Sequence, residues 1–180
     1  CLLREGPQRV GFTVDATHTE AAGWNGEHLA ACRIEGTVFT PAVSAVASAA
    51  FDRTGHLWAL AGQPTHLLFF KSLAPVDLGE VNAIRLVGTA TGVITLDPQG
   101  ELRSIDATGA VLGVAHLPLP WVNDVALSTS GDGERLAAVA QHQAQLFDVS
   151  TLRALPHPAG CDVEFLWWLA GVHQALLQCA

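Results

Sequence analysis

An all-β chain built from small repeated sheets is what this sequence predicts, and three observations predict it. One stretch recurs along the chain at a beat of about forty residues. Its apolar segments are short and end in turn signals rich in Gly, Asp and Pro. Helical periodicity is poor throughout, and the nine prolines are spread along the chain.

The clearest unit is "VNDVALSTSGDGERLAAVAQHQAQLFDV", from Val122 to Val149. Within it "VNDVALST" alternates, "SGDG" is a turn and "ERLAAVA" is a continuous apolar run. "QHQ" is then a polar loop, "AQLFDV" a third strand and "STLRALP" a weaker outer one. Moved back 79 positions, the unit falls without a gap on "VSAVASAAFDRTGHLWALAGQPTHLLFFKSL", which begins at Val43. Eight of those 31 columns are identical, where chance supplies roughly three in so Ala- and Leu-rich a chain. The matches include Val43 with Val122, Val46 with Val125, Leu57 with Leu136 and Leu67 with Leu146, apolar positions that a shared core would occupy.

A third copy starts at Val81 and places Ile105-Asp106 where the last full copy has Phe147-Asp148. A fourth begins near "CDVEFLWWL", where Asp162-Val163 matches Asp124-Val125. The spacings are 38, 41 and 38 residues. Ahead of Val43, "GEHLAAC" at Gly26 echoes "GERLAAV" at Gly133 in a compressed register. These repeats divide a single domain, residues 1–180, into a degenerate first unit (1–42), three full units (43–80, 81–121, 122–160) and a partial last one (161–180). The segment "FLWWLAGVHQALLQC" is the one stretch that passes for a helix, and the repeat makes it a hairpin turning at Ala170-Gly171.

Four-stranded units of this length are the mark of a β-propeller blade. One blade buries too little alone, so blades stack face to face around an axis. Inner strands covered on both faces become solidly apolar, as in "LWALAG" and "LAAVA". The prediction is therefore a propeller segment of about four to five four-stranded blades. It is read as an incomplete ring, closed by additional blades or by a second copy. A small closed ring of four or five blades, its last sheet completed by the N-terminal segment, is the structural alternative.

Composition sets the functional limits. Apolar residues make up 49% of the 180 and charged residues 14%, which is a globular chain with much to bury. The net charge of −8, with Lys71 the one lysine, argues against binding a phosphate backbone, which needs clustered Lys and Arg. The excess of Arg over Lys and the abundance of Ala point to a GC-rich, bacterial genome. No run is long and apolar enough to predict a membrane span. The first residue, Cys1, raises a lipoprotein or periplasmic alternative, but "CLLREGPQRV" lacks a polar tether, so a cytoplasmic piece of a longer chain is the expectation. The four cysteines form no CxxC pair. Cys161 and Cys179 face each other if the last hairpin forms; a disulfide there is geometrically possible, and two buried thiols are the expectation.

The best copy resembles a WD-repeat blade. "VNDVALSTSGDGERLAAVAQHQAQLFDVSTLRAL" follows that family's order of Val-x-x-Val-x-hydrophobic-Ser, a Gly turn, Leu-Ala, a polar turn and then Trp-Asp. Phe147-Asp148 stands in the Trp-Asp place, with Ile105-Asp106 and Phe69-Phe70 at or beside it in other copies. The family's Gly-His dipeptide is missing ahead of the first strand, and Ala138 and Ala140 stand where it usually has Ser. The match is thus to a degenerate, WD-repeat-like propeller without an intact Trp-Asp. The resemblance implies a non-catalytic scaffold that binds a protein partner through loops on one face, without a cofactor.

A second resemblance is to six-bladed propellers of the gluconolactonase and regucalcin type, carried by "EGP" at Glu5 and "VNDVA" at Val122. It implies a metal-dependent lactone hydrolase, with Glu5, Asn82, Asn123 and Asp124 as the candidate ligands of a calcium or magnesium ion. Against it, Asn82 and Asn123 have a simple role as polar residues bonding loop backbone where inner strands begin. No nucleophile elbow, P-loop or dinucleotide fingerprint occurs. The eight histidines form no HxH or HExxH pair. Asp106 and Asp148, which recur at one place in the repeat, are expected to stabilise turns.

Binding is the better supported function. The loops predicted to share one face are "APVDLGE", "HLPLPW" and "LPHPAG", with "GQPT" and "AQHQ". The candidate contact residues are Asp77, Pro118, Pro120, Trp121, His142 and His157. Stiff proline loops lose little entropy on binding, and an exposed Trp is a common anchor; packing between blades is the alternative for Trp121. Trp58, Trp167 and Trp168 are assigned to the core.

Overall fold

Strands that follow one another in sequence pair as neighbours here, because two- to five-residue turns leave no room for any other order. The computed structural model describes residues 11–15, 17, 19–33, 38–39, 43–71, 74–156, 163–168 and 175–179. The first antiparallel sheet holds β1 (Gly11–Val14), β2 (Glu20–Trp24), β3 (Leu29–Arg33) and β4 (Val38–Phe39). The second holds β5 (Ser48–Phe51), β6 (Leu57–Ala61), β7 (His66–Phe70) and β8 (Pro75–Glu80). The third holds β9 (Arg85–Gly88), β10 (Gly92–Leu96), β11 (Glu101–Asp106) and β12 (Val111–His116). The fourth holds β13 (Ala126–Thr129), β14 (Arg135–Ala140), β15 (Gln143–Asp148) and β16 (Ala154–Leu155). A further hairpin pairs β17 (Val163–Trp168) with β18 (Ala175–Cys179).

The four meanders are arranged as a four-bladed β-propeller, the all-β class expected from the repeat. Blades touch in chain order. Contacts of β1 with β5, β5 with β9 and β9 with β13 put the first strand of each blade at the axis, and β17 packs on β14 and β15.

The cores lie between blades, which explains the unbroken apolar strands. On β6, Leu57, Ala59 and Ala61 join a cluster with Ala22, Leu29 and Ala31 of the first blade. Trp58 and Leu60 point the other way, into a cluster with Val93 and Ile105 of the third blade. On β10, Val93 faces the second blade, while Ile94 and Leu96 face Leu136, Ala138 and Phe147 of the fourth. A period of two therefore persists, but both phases are apolar because both faces are covered. Each large side chain so buried contributes on the order of 1.5–3 kcal/mol.

Turn chemistry recurs as the sequence predicts. Gly55, Gly100, Gly109 and Gly133 close the Asp52, Asp97, Asp106 and Ser130 turns, each donating its N–H to the residue three before it at 2.8–3.2 Å. The opening carboxylates accept backbone N–H groups two and four residues on: Thr54 and His56 on Asp52, Gln99 and Glu101 on Asp97, Thr108 and Ala110 on Asp106. At Gly133 (φ +76°) a Cβ would come within 2.3 Å of Ala90 N, so this turn also sets how closely the third and fourth blades approach.

One loop assignment is corrected. "APVDLGE" is not a loop but the outer strand β8, so Asp77 lies on a blade edge. Pro75 opens that strand at an edge, where its missing N–H costs no ladder bond. The last segment is a hairpin and not a helix; its turn, with Ala170-Gly171, lies outside the described residues, as do Glu5, His157 and Cys161. Among the described residues no helix is long and apolar enough to cross a membrane.

Candidate functional site

One face of the propeller carries the turns between second and third strands and the links into each first strand. These segments are bonded to one another from blade to blade. Val81 N donates to Thr65 O at 2.9 Å, and Asn82 Nδ2 donates to Gln99 Oε1 at 3.0 Å. Leu117 N reaches Gly100 O at 2.8 Å, Gln141 Nε2 reaches Pro120 O at 3.1 Å, and Val163 N reaches His142 O at 2.7 Å. The result is a chain of contacts running from the second blade to β17.

The link into the fourth blade is shaped by a short 3-10 helix, Leu119–Trp121. Trp121 N donates to Pro118 O at 2.9 Å, and Trp121 O accepts from Asp124 N and Val125 N. Pro118 and Pro120 are exposed on its outer side. Opposite them, Gln141 and His142 form the two-residue turn between β14 and β15, with φ of +49° and +62°. A two-residue turn with both central φ positive is the primed hairpin geometry, which normally selects Asn-Gly. Two side-chain-bearing residues there carry backbone strain on an exposed turn.

Of the candidate contact residues, Pro118, Pro120 and His142 come together on this face. Trp121 does not belong to the surface: it is 5% exposed and packs with Leu117, Val125 and Leu152. Of the two placements open to it, the core is the one found, and Trp121 is not a surface anchor. Asp77 is exposed but sits at the edge of the second blade, where His66 Nδ1 approaches its carboxylate at 2.8 Å. That contact, with the Gly79 N–H, holds the Asp77 carboxyl below its usual range. The cross-strand placement of His66 beside Asp77 followed from a bulge between His66 and Leu68 that no local motif marks.

Three of the four residues of the alternative metal set, Asn82, Asn123 and Asp124, are among the described residues. Asn82 and Asn123 are exposed in successive blade links, and Asp124 is exposed beside Asn123. Arg85 places its guanidinium on the carbonyls of Val125 and Asn123, the second at 2.8 Å. A fixed positive charge at that point opposes a divalent cation. Among the described residues no three His, Cys, Asp or Glu side chains are grouped to hold a metal ion.

The recurring aspartates shape turns. Asp106 accepts from Thr108 and Ala110, which lowers its carboxyl pKa with the Thr108 hydroxyl as the main cause. Asp148 is lowered to about 2, first by the Ser150 hydroxyl, then by Thr151 and Arg135, against a smaller upward push from burial. For Asp15, burial pushes the carboxyl up, but donors from Thr17, Glu20 and Thr19 bring it below the usual value. Trp58 is fully buried, as expected, and its Nε1 donates to Asp52 Oδ2 at 3.0 Å. Trp168 is half-buried and donates to Ser128; the Trp167 side chain lies outside the described residues. Cys32, which no spacing in the sequence singled out, is disulfide-bonded.

No protein-family model matches the chain, and no curated protein matches it. Solved structures do. The chain is similar to the computationally designed Ika8 protein, at 14% identity and a TM-score of 0.63, over 89% of this chain and 52% of that one. It is similar to a chain of the mitotic checkpoint complex at 15% identity and a TM-score of 0.63, over 91% of this chain and 58% of that one. It is also similar to the dihydro-heme d1 dehydrogenase NirN, at 12% identity and a TM-score of 0.57, over 87% and 39%. The chain thus spans about half the length of the first two structures it matches. At these identities the likeness is one of fold, and the proteins that share it differ widely in function.

Proposed function

We propose that this propeller is a non-catalytic scaffold that binds a protein partner through the face carrying Pro118, Pro120 and His142. The observation that carries this reading is the bonded run of loops from Thr65 to Val163, which presents exposed prolines and a strained turn on a framework already ordered. A surface ordered before contact loses little entropy on association. Likeness to a chain of a multi-protein checkpoint complex is consistent with such a role. Further blades or a second copy would complete the ring, and the disulfide at Cys32 supports the periplasmic alternative over the cytoplasmic one.

The test is capture of a partner by wild-type chain, by a His142→Ala/Pro118→Ser variant, and by Thr91→Ala on the opposite face. Affinity is expected to fall about tenfold in the first variant and to stay unchanged in the second. Equal capture by all three would overturn the assignment of this face. A melt with calcium and then with chelator separates the scaffold from the lactone-hydrolase alternative: the scaffold melts at the same temperature in both.

A further inference from the structure

The third blade ends in a strand unlike the other outer strands. Among the described residues β4 and β16 are two residues long, and β8 carries Pro75, Asp77 and Glu80 along its six. Short length, proline and charge are the devices that keep a sheet edge from pairing with another chain. β12 has none of them: it runs for six residues, VLGVAH, with no proline and no carboxylate. Val111, Leu112 and Val114 on it are about half exposed.

β12 is the terminal strand of its sheet, so one side of its backbone has no strand beside it among the described residues. Leu117 N donates to Gly100 O on the β11 side, and by alternation Val114 and His116 turn their N–H and C=O groups outward. The strand is held firmly from another direction. A Cβ on Gly113 would come within 2.6 Å of the Thr151 backbone, and Ala115 packs on the core between the third and fourth blades. The second and fourth blades flank this one, so blades added at the ends of the row would not reach β12.

We propose that β12 is a self-association edge, pairing antiparallel with β12 of a second copy so that two four-stranded blades join into one sheet. Two observations select a second copy as the occupant. Residues 111–115 are uncharged throughout, so a two-fold axis near Gly113 lays aliphatic side chains on aliphatic side chains. Charge is complementary along the same edge. At one end of the β11–β12 pair Arg103 neutralises Glu101 and leaves His116, while Asp106 lies at the other end. The axis therefore sets His116 of each copy by the Asp106 turn of the other, in a chain whose net charge of −8 otherwise drives copies apart. This pairing goes beyond the scaffold role and uses neither the loop face nor the open faces of the end blades.

The test is self-association of the full chain, followed by sedimentation and by amide hydrogen exchange at low and high protein concentration. Exchange at the Val114 and His116 amides is expected to slow as concentration rises. Val114→Lys, which puts a charge at the middle of the edge, is expected to weaken this association about tenfold. Val114→Ile is expected to keep it and Val76→Lys, on β8, to leave it unchanged, with circular dichroism showing that the variants fold. A chain that stays monomeric at every concentration overturns the proposal. So does self-association with unaltered exchange at β12, or equal association by Val114→Lys; either assigns the contact between copies to the end blades. Should Val114→Lys not fold, hydrogen exchange in the wild-type chain decides.

Discussion

Asp52 and Asp148 each open a turn, yet they do different things. Asp52 is 1% exposed and joins turn to core: one carboxylate oxygen accepts Thr54 and His56 N–H groups, the other accepts Trp58 Nε1. The indole it fixes packs against Phe69 at a tilt of 41°, with ring centroids 4.4 Å apart. Asp148 lies nearer solvent and gathers Ser150, Thr151 and Arg135, the last at 2.5 Å across the β14–β15 pair. Its folded pKa of about 2 lies below the ordinary 3.8. The carboxylate form is thus favoured in the folded state, and the stability it contributes is present above pH ~4 and lost as pH falls through about 2. Solvent screening keeps that contribution on the order of 1 kcal/mol. Acid titration of urea stability should show Asp148→Asn less stable than wild type at pH 6, with the gap closing towards pH 2. An unchanging gap would place the loss in packing instead. The turn role of this aspartate was legible in its recurrence beside Asp106; its coupling to Arg135 was not, because that depends on strand register.

Among the elements, the β14–β15 turn shows how a local rule was broken. Its neighbours use Gly where φ is positive, whereas Gln141 and His142 take left-handed conformations that cost side-chain-bearing residues roughly 1 kcal/mol each. Replacing His142 by Gly should therefore raise the free energy of unfolding by up to about 1 kcal/mol, measured in urea, while partner capture falls. A destabilised His142→Gly would mean that the imidazole is held by contacts worth more than the strain. The outer strands carry a different signal. On β12, Val111, Leu112 and Val114 are each about half exposed, at 50%, 51% and 49%. The same alternation that buries inner strands on both faces leaves outer ones with little cover. Trp121 shows the limit at this scale: proline neighbours marked its link as a surface loop, and its burial comes with a core cluster that includes β14 and β15 residues distant in sequence.

For the molecule as a whole, the inter-blade layers matter most. Each blade's stability depends on its neighbour, since Leu57 and Trp58, adjacent in sequence, serve different cores. Stitches at the axis add direction: Thr129 Oγ1 donates to Gly88 O at 2.7 Å, and Arg53 N to Thr89 O at 2.8 Å. We expect the chain to close its ring by association, so sedimentation should show a concentration-dependent increase in mass, and a monomer across the full range would refute this. The forty-residue beat, the Asp-x-x-Gly turns and the doubly apolar inner strands were determined by the sequence alone, because each is a local pattern that only one kind of sheet satisfies. The reach of Arg53 to Thr129 and Ser130, the burial of Trp121 and the pairing of His66 with Asp77 were decided by tertiary structure. Those contacts join residues whose separation in sequence carries no periodic signal, so only the stacking of blades brings them together.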